Sequence, residues 1–114
     1  AFVPNCVETV ILMLAATATG AIWTSCSPDF GSQGVVDRFG QVEPSVMIVS
    51  NGYKYNGKIF SMEHKINGVL EVIDTIEHII SIEFVDVACK LNHSSVINYQ
   101  TLVSNNATAP EFVQ

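Results

Sequence analysis

Apolar residues in this chain fall into short continuous runs, separated by longer stretches in which they recur at helical spacing. Residues 1–3 read as the end of a strand closed by Pro4. Asn5 is placed to cap a following helix, with Glu8 three residues on as its capping-box partner. Val7 to Thr19 is then an Ala- and Leu-rich helix ending at Gly20. It is apolar nearly all round, which predicts a buried helix. Residues 21–25, rich in β-formers, predict a short strand. Ser27-Pro28-Asp29-Phe30-Gly31 is a turn. A second helix follows over about residues 32–42, with Val35, Phe39 and Val42 on one stripe, and Pro44 stops it. Val46-Met47-Ile48-Val49 has the unbroken apolar character of a strand buried in a parallel sheet. Asn51-Gly52 reads as a turn, and Tyr53 to Lys58 as a polar and aromatic connection. Ser61 can cap a third helix over about residues 62–76, with Ile66, Val69, Leu70, Ile73 and Ile76 as its stripe. Ile79 to Val87 is the next strand. A polar loop and a short extended or helical piece around Val96 to Val103 complete the pattern.

Strands alternating with helices of this length imply βαβ units. The expected fold class is α/β: a partial three-layer parallel sheet with helices on both faces, spanning residues 1–103. Strands are expected near residues 1–3, 21–25, 46–50 and 79–86. Residues 104–114, small and polar with Pro110, read as a linker or loose tail. In such sheets ligands sit beyond the carboxyl ends of the strands. Those ends carry Trp23 to Gly31, Ser50 to Lys58 and the loop after Val87. The chain starts Ala1-Phe2-Val3-Pro4, as if already inside a strand, which suggests a piece of something longer.

Composition narrows the chemistry. With a net charge of −6 and five Lys and Arg in 114 residues, the chain lacks the clustered cations that nucleic-acid binding needs. Its longest apolar run, Val10 to Ala16, is far short of the roughly 20 residues that span a membrane. Cys6, Cys26 and Cys89 are odd in number and widely spaced, which is neither a disulfide framework nor a zinc pattern. His64, His78 and His93 have no metal-ligand spacing. Neither a G-x-G-x-x-G nor a G-x-x-x-x-G-K-[ST] phosphate loop occurs, and Ser25 and Ser27 lack a G-x-S-x-G frame. Tyr53, Tyr55 and Lys58 form a small aromatic and cationic group. It reads either as an ordinary solvated loop or as a place for a phosphate beside a flat ring.

The string Gly20-Ala21-Ile22-Trp23-Thr24-Ser25-Cys26-Ser27-Pro28-Asp29-Phe30-Gly31 resembles the corresponding segment of the acetoacetyl-CoA synthetases. So do Gly34-Val35-Val36-Asp37-Arg38-Phe39 with Gln41 and Pro44, and Tyr55-Asn56-Gly57-Lys58. Pro4-Asn5 before an Ala-rich helix ending in Gly20-Ala21 resembles the wider adenylate-forming, AMP-binding superfamily. The likeness is specific from Val3 to Lys58 and rests on element order beyond Ile59.

That resemblance implies a fragment of the N-terminal domain of a cytosolic ligase. In the parent enzyme acetoacetate, ATP and coenzyme A are substrates and Mg accompanies ATP. The superfamily's Ser/Thr/Gly-rich phosphate loop ending in Pro-Lys would lie a little beyond Pro110-Glu111-Phe112. Neither it nor the nucleotide motifs occur here, so the segment alone should be inactive, with no catalytic residue and no metal site. By position, Ser27, Pro28 and Asp29 fall in a loop that lies against the adenine of coenzyme A in related enzymes. Tyr55 and Lys58 fall where those enzymes place two arginines on its ribose phosphate; Lys58 keeps the charge and Tyr55 does not. Another acyl-CoA synthetase, and a self-contained flavodoxin-like binding domain without enzymatic activity, are the alternatives.

Overall fold

The computed structural model describes residues 1–104. Helix α1 spans Val7–Ala18 and α2 spans Ser32–Phe39; strand β1 spans Val46–Ser50. A hairpin of β2 (Gly52–Tyr55) and β3 (Lys58–Ser61) leads to α3 (Glu63–Val72). Strand β4 (His78–Ile82), β5 (Val96–Asn98) and α4 (Tyr99–Ser104) follow. The last helix ends one residue past the expected boundary at 103, and the remainder of the expected tail lies outside the described residues.

The main sheet has the order β1-β4-β5, and both pairings are parallel. Phe2 extends it on the other side of β1 through parallel bridges to Val49 and to Cys26. The Phe2 amide donates to Ile48 O at 2.7 Å, and the Cys26 amide to Ala1 O at 2.8 Å.

Alternation along the strands divides the core in two. Phe2, Met47, Val49 and Ile79 point to one side and pack with Val35 and Phe39 of α2 and Ile66 and Val69 of α3. Val3, Ile48, Ile80 and Ile82 point to the other, against Leu12 of α1 and Tyr99 and Leu102 of α4. The stretch Met47 to Val49 of β1 is therefore apolar without a break because it is covered on both faces. This is the α/β three-layer fold with helices on both faces that the sequence implies.

Four local expectations over residues 1–42 are overturned. Residues 21–25 form no strand; only Cys26 pairs, and Ile22 is 89 % exposed. β-forming side chains without a cross-strand neighbour to pack on do not make a strand. The N-cap of α1 is Cys6, not Asn5, and makes no side-chain cap hydrogen bond. The Thr9 hydroxyl donates back to Pro4 O instead, at 2.8 Å. Nor is α1 buried: Leu12 is its one buried residue, while Val7, Val10, Ile11 and Leu14 are exposed. Finally, α2 stops at Phe39, before the third residue of its expected stripe, so Val42 falls outside the helix and is half exposed.

Exposed apolar surface of this size on one helix favours association. The isolated chain is expected to self-associate or to be marginally stable. Sedimentation with thermal melting checks this; a monodisperse monomer melting well above about 50 °C, inside the usual mesophile range, would contradict it.

Candidate functional site

Beyond the carboxyl ends of β1 and β4 the chain builds a small platform, and Asn51 organises it. The residue is 6 % exposed. Its side-chain amide donates to Val85 O at 2.6 Å and Val87 O at 3.1 Å, and its carbonyl accepts from the Phe84 and Val85 amides. Its main chain takes part as well: the amide donates to Ile82 O, and the carbonyl accepts from the Met62 amide. Asn51 therefore binds the exit of β1, the exit of β4 and the start of α3 together. This also explains why β4 ends at Ile82 rather than at Val87: residues 84–87 bond to a side chain instead of a neighbouring strand. Next to it Gly52 is buried, and a Cβ there would collide with Phe60 O and stand 2.7 and 2.8 Å from the Val87 and Val85 methyls. The Asn51-Gly52 pair is thus a packed junction and not a free turn.

The hairpin that follows replaces the expected loop over Tyr53 to Lys58. Its turn is Asn56-Gly57, with φ of 50° and 73°. Asn-Gly is the pair suited to two successive positive φ values between twisted strands. Register sets Tyr53 opposite Phe60 and Tyr55 opposite Lys58, so these four side chains share one face. The Tyr53 and Phe60 rings stack with centroids 5.3 Å apart. Tyr55 is 64 % exposed, and Lys58 is also exposed.

The Ser27-Pro28-Asp29 loop reaches the same region. Pro28 is buried, while Ser27 and Asp29 are exposed. The Phe30 amide donates to Ser27 O at 3.1 Å and closes the turn. The Ser27 hydroxyl, followed by Asp29's own amide, holds the Asp29 carboxyl below its ordinary value; the Lys65 ammonium adds a smaller pull. Lys65, on α3, donates to Pro28 O at 2.8 Å and lies 5.2 Å from the Tyr53 ring centroid. The two expected segments, 27–29 and 55–58, are thus linked through Lys65 and Tyr53. Sequence reasoning missed Lys65 and misread Asn51. Nothing local marks Lys65, because its partner is 37 residues away.

Chemically, the platform offers an exposed ammonium at Lys58, an exposed ring at Tyr55 and no nucleophile paired with a base. Such a set can receive an anion and a flat ring. Two of the histidines make structural hydrogen bonds. His93 bridges Ile76 O and the Ser95 amide, and His78 bonds the Ser95 hydroxyl. Cys26 is buried, Cys6 and Cys89 are half-buried, and burial pushes the Cys89 thiol up. Among the described residues no group of three or more His, Cys, Asp or Glu could hold a metal ion, and no helix is long and apolar enough to cross a membrane.

These features define a segment of a parallel α/β domain whose ligand face lies beyond the strand ends. No family model matches the chain, but individual proteins do. It is 56 % identical over 69 residues to the acetoacetyl-coenzyme A synthetase of Rhizobium meliloti (strain 1021), covering 60 % of this chain and 11 % of that protein. It is 37 % identical over 97 residues to the acetoacetyl-CoA synthetase of Xenopus tropicalis, covering 85 % and 14 %. The solved structure of the acetoacetyl-CoA synthetase from Streptomyces lividans superposes with a TM-score of 0.85 at 33 % identity, over 94 % of this chain and 16 % of that one. Its homologues are acetoacetyl-CoA synthetases, and the chain matches one segment of them. It spans between 11 % and 14 % of the length of these two curated relatives.

Two outcomes follow from this geometry. Asn51→Ala strands four part-buried backbone groups and is expected to cost about 2 kcal/mol, read as a lower urea midpoint with faster amide exchange at Phe84 and Val85. Ser27→Ala should move the Asp29 pKa up toward its ordinary value, as followed by carboxyl ¹³C titration. The sign is that of a carboxylate depressed in the folded state: its contribution is present above the unfolded pKa and is lost as pH falls through the folded one.

Proposed function

We propose that this chain is part of the N-terminal domain of an ATP-dependent acetoacetate–CoA ligase, with residues 1–103 in the domain and 104–114 leading toward the phosphate loop. The reaction has two steps. An acetoacetate carboxylate oxygen attacks the α-phosphorus of ATP, giving acetoacetyl-adenylate and releasing pyrophosphate. The thiol sulfur of coenzyme A then attacks the acyl carbon, loses its proton, and AMP leaves. Mg accompanies ATP in the parent enzyme, and the enzyme works in the cytosol, which cell fractionation tests.

Within that reaction this segment contributes to the coenzyme A surface. Ser27, Pro28 and Asp29 lie along the adenine, Tyr55 offers a ring, and Lys58 meets the ribose phosphate. The observation that carries the reading is convergence: two loops far apart in sequence meet beyond the strand ends, tied through Lys65 and Tyr53. A lone Lys supplies charge without the bidentate fork of an arginine. The adenylation step draws on none of these residues.

Two measurements test it. The purified 114-residue chain should show no acetoacetate-dependent ATP–pyrophosphate exchange, because no Ser/Thr/Gly-rich loop ending in Pro-Lys occurs in its sequence; exchange by the chain alone would refute this. In a full-length synthetase carrying this segment, Lys58→Ala should weaken coenzyme A by about 1–2 kcal/mol, the lower part of the range for hydrogen bonds to charged groups because Lys58 is exposed. Pyrophosphate exchange should be untouched, and dephospho-coenzyme A should lose little further in the mutant. An unchanged KM for coenzyme A would make the hairpin a solvated connection.

A further inference from the structure

The two halves of the proposed coenzyme A surface sit on separate elements. The Ser27-Pro28-Asp29 loop precedes α2, and Tyr55 and Lys58 belong to the hairpin that precedes α3. No backbone hydrogen bond among the described residues joins the loop directly to the hairpin. What joins them is one half-buried side chain. Lys65 Nζ donates to Pro28 O at 2.8 Å, and the same ammonium lies 5.2 Å from the Tyr53 ring centroid. Tyr53 in turn stacks on Phe60, directly across the hairpin and on the face that carries Tyr55 and Lys58. The Lys65 main chain is itself held, because the Ser32 hydroxyl at the start of α2 donates to Lys65 O at 3.0 Å.

An ammonium taken partly out of water is costly unless it is paired. This one bonds a neutral carbonyl and a ring face, with the exposed Asp29 carboxylate as a weaker neighbour. A fold seeking stability alone would do as well with an apolar side chain here. What the charge adds is direction: a strong hydrogen bond to a chosen carbonyl and attraction to a chosen ring. Together these set the distance between loop and hairpin.

We propose that Lys65 is a positioning residue for coenzyme A: it holds the Ser27–Asp29 loop against the aromatic face of the hairpin so that both halves meet one ligand at a single spacing. The proposal rests on the coenzyme A reading above. Lys65 acts through Pro28 and Tyr53 and does not touch the ligand.

The test uses a full-length synthetase carrying this segment, with Lys65→Met, which keeps the stem and loses the charge, and Lys65→Arg, which keeps the charge. Lys65→Met should raise the KM for coenzyme A about fivefold, the equivalent of one ordinary hydrogen bond. The kcat at saturating coenzyme A and the acetoacetate-dependent pyrophosphate exchange should stay unchanged, and Lys65→Arg should recover most of the loss. Amide exchange should quicken at Phe30, whose N–H closes the loop, and stay slow in β4. The same penalty should apply to dephospho-coenzyme A; a penalty that vanishes with that ligand would make Lys65 a direct phosphate contact and overturn the proposal. An equal fall in pyrophosphate exchange would also overturn it, by showing general damage to the fold. If Lys65→Met leaves the coenzyme A KM unchanged while Lys58→Ala raises it, the positioning role is wrong and the coenzyme A reading stands. If neither variant moves that KM, the coenzyme A reading itself has failed and takes this proposal with it.

Discussion

The carboxyl edge of the sheet depends on one side-chain amide. Asn51 does for residues 84–87 what a neighbouring strand would do, giving two donors and accepting at one oxygen from two amides. A carboxylate in its place could not donate, and a hydroxyl could not reach both sides. Because Asn51 and Gly52 also begin the hairpin, the platform that carries Tyr55 and Lys58 is built onto the sheet and does not hang from it on a loose loop. Buried amide networks of this kind are worth having only when every member is satisfied, and here all four side-chain bonds are made.

Covering is uneven around the sheet. The face toward α2 and α3 has a continuous core in which Phe2, Val35, Met47, Val49, Ile66, Val69 and Ile79 are essentially inaccessible to water. The face toward α1 and α4 is thinner, and α1 leaves four large apolar side chains in solvent. A helix that is apolar all round is stable only with neighbours on more than one side, and within the described residues Leu12 is the one residue of α1 that is buried.

Much of the architecture was legible beforehand, for local reasons. Val46-Met47-Ile48-Val49 announces a doubly covered strand, although Val46 is half exposed; of the stripe Ile66, Val69, Leu70, Ile73 and Ile76 all but Leu70 are buried, Ile73 and Ile76 past the end of α3. The failures share a cause. Residues 21–25 have the composition of a strand but no partner, and strand formation is a property of pairs. Tyr53 to Lys58 reads as a connection although Asn56-Gly57 is a short-range hairpin signal, one that Asn51-Gly52 and Asn67-Gly68 share without forming a hairpin turn; the polar character of the strands, set on a platform outside the main sheet, hides their alternation.

What the sequence determined by itself was the first three helices, the buried central strand and the likeness to one family, because spacing and a distinctive string from Gly20 to Gly31 are properties of neighbouring residues. What only the tertiary structure decided was the junction of the candidate site. Lys65 finds Pro28 across 37 residues, and Asn51 finds Val87 across 36. Each is a single polar side chain with no periodicity around it, so its partner is set by where the packed helices and strands deliver the chain and not by anything adjacent in sequence.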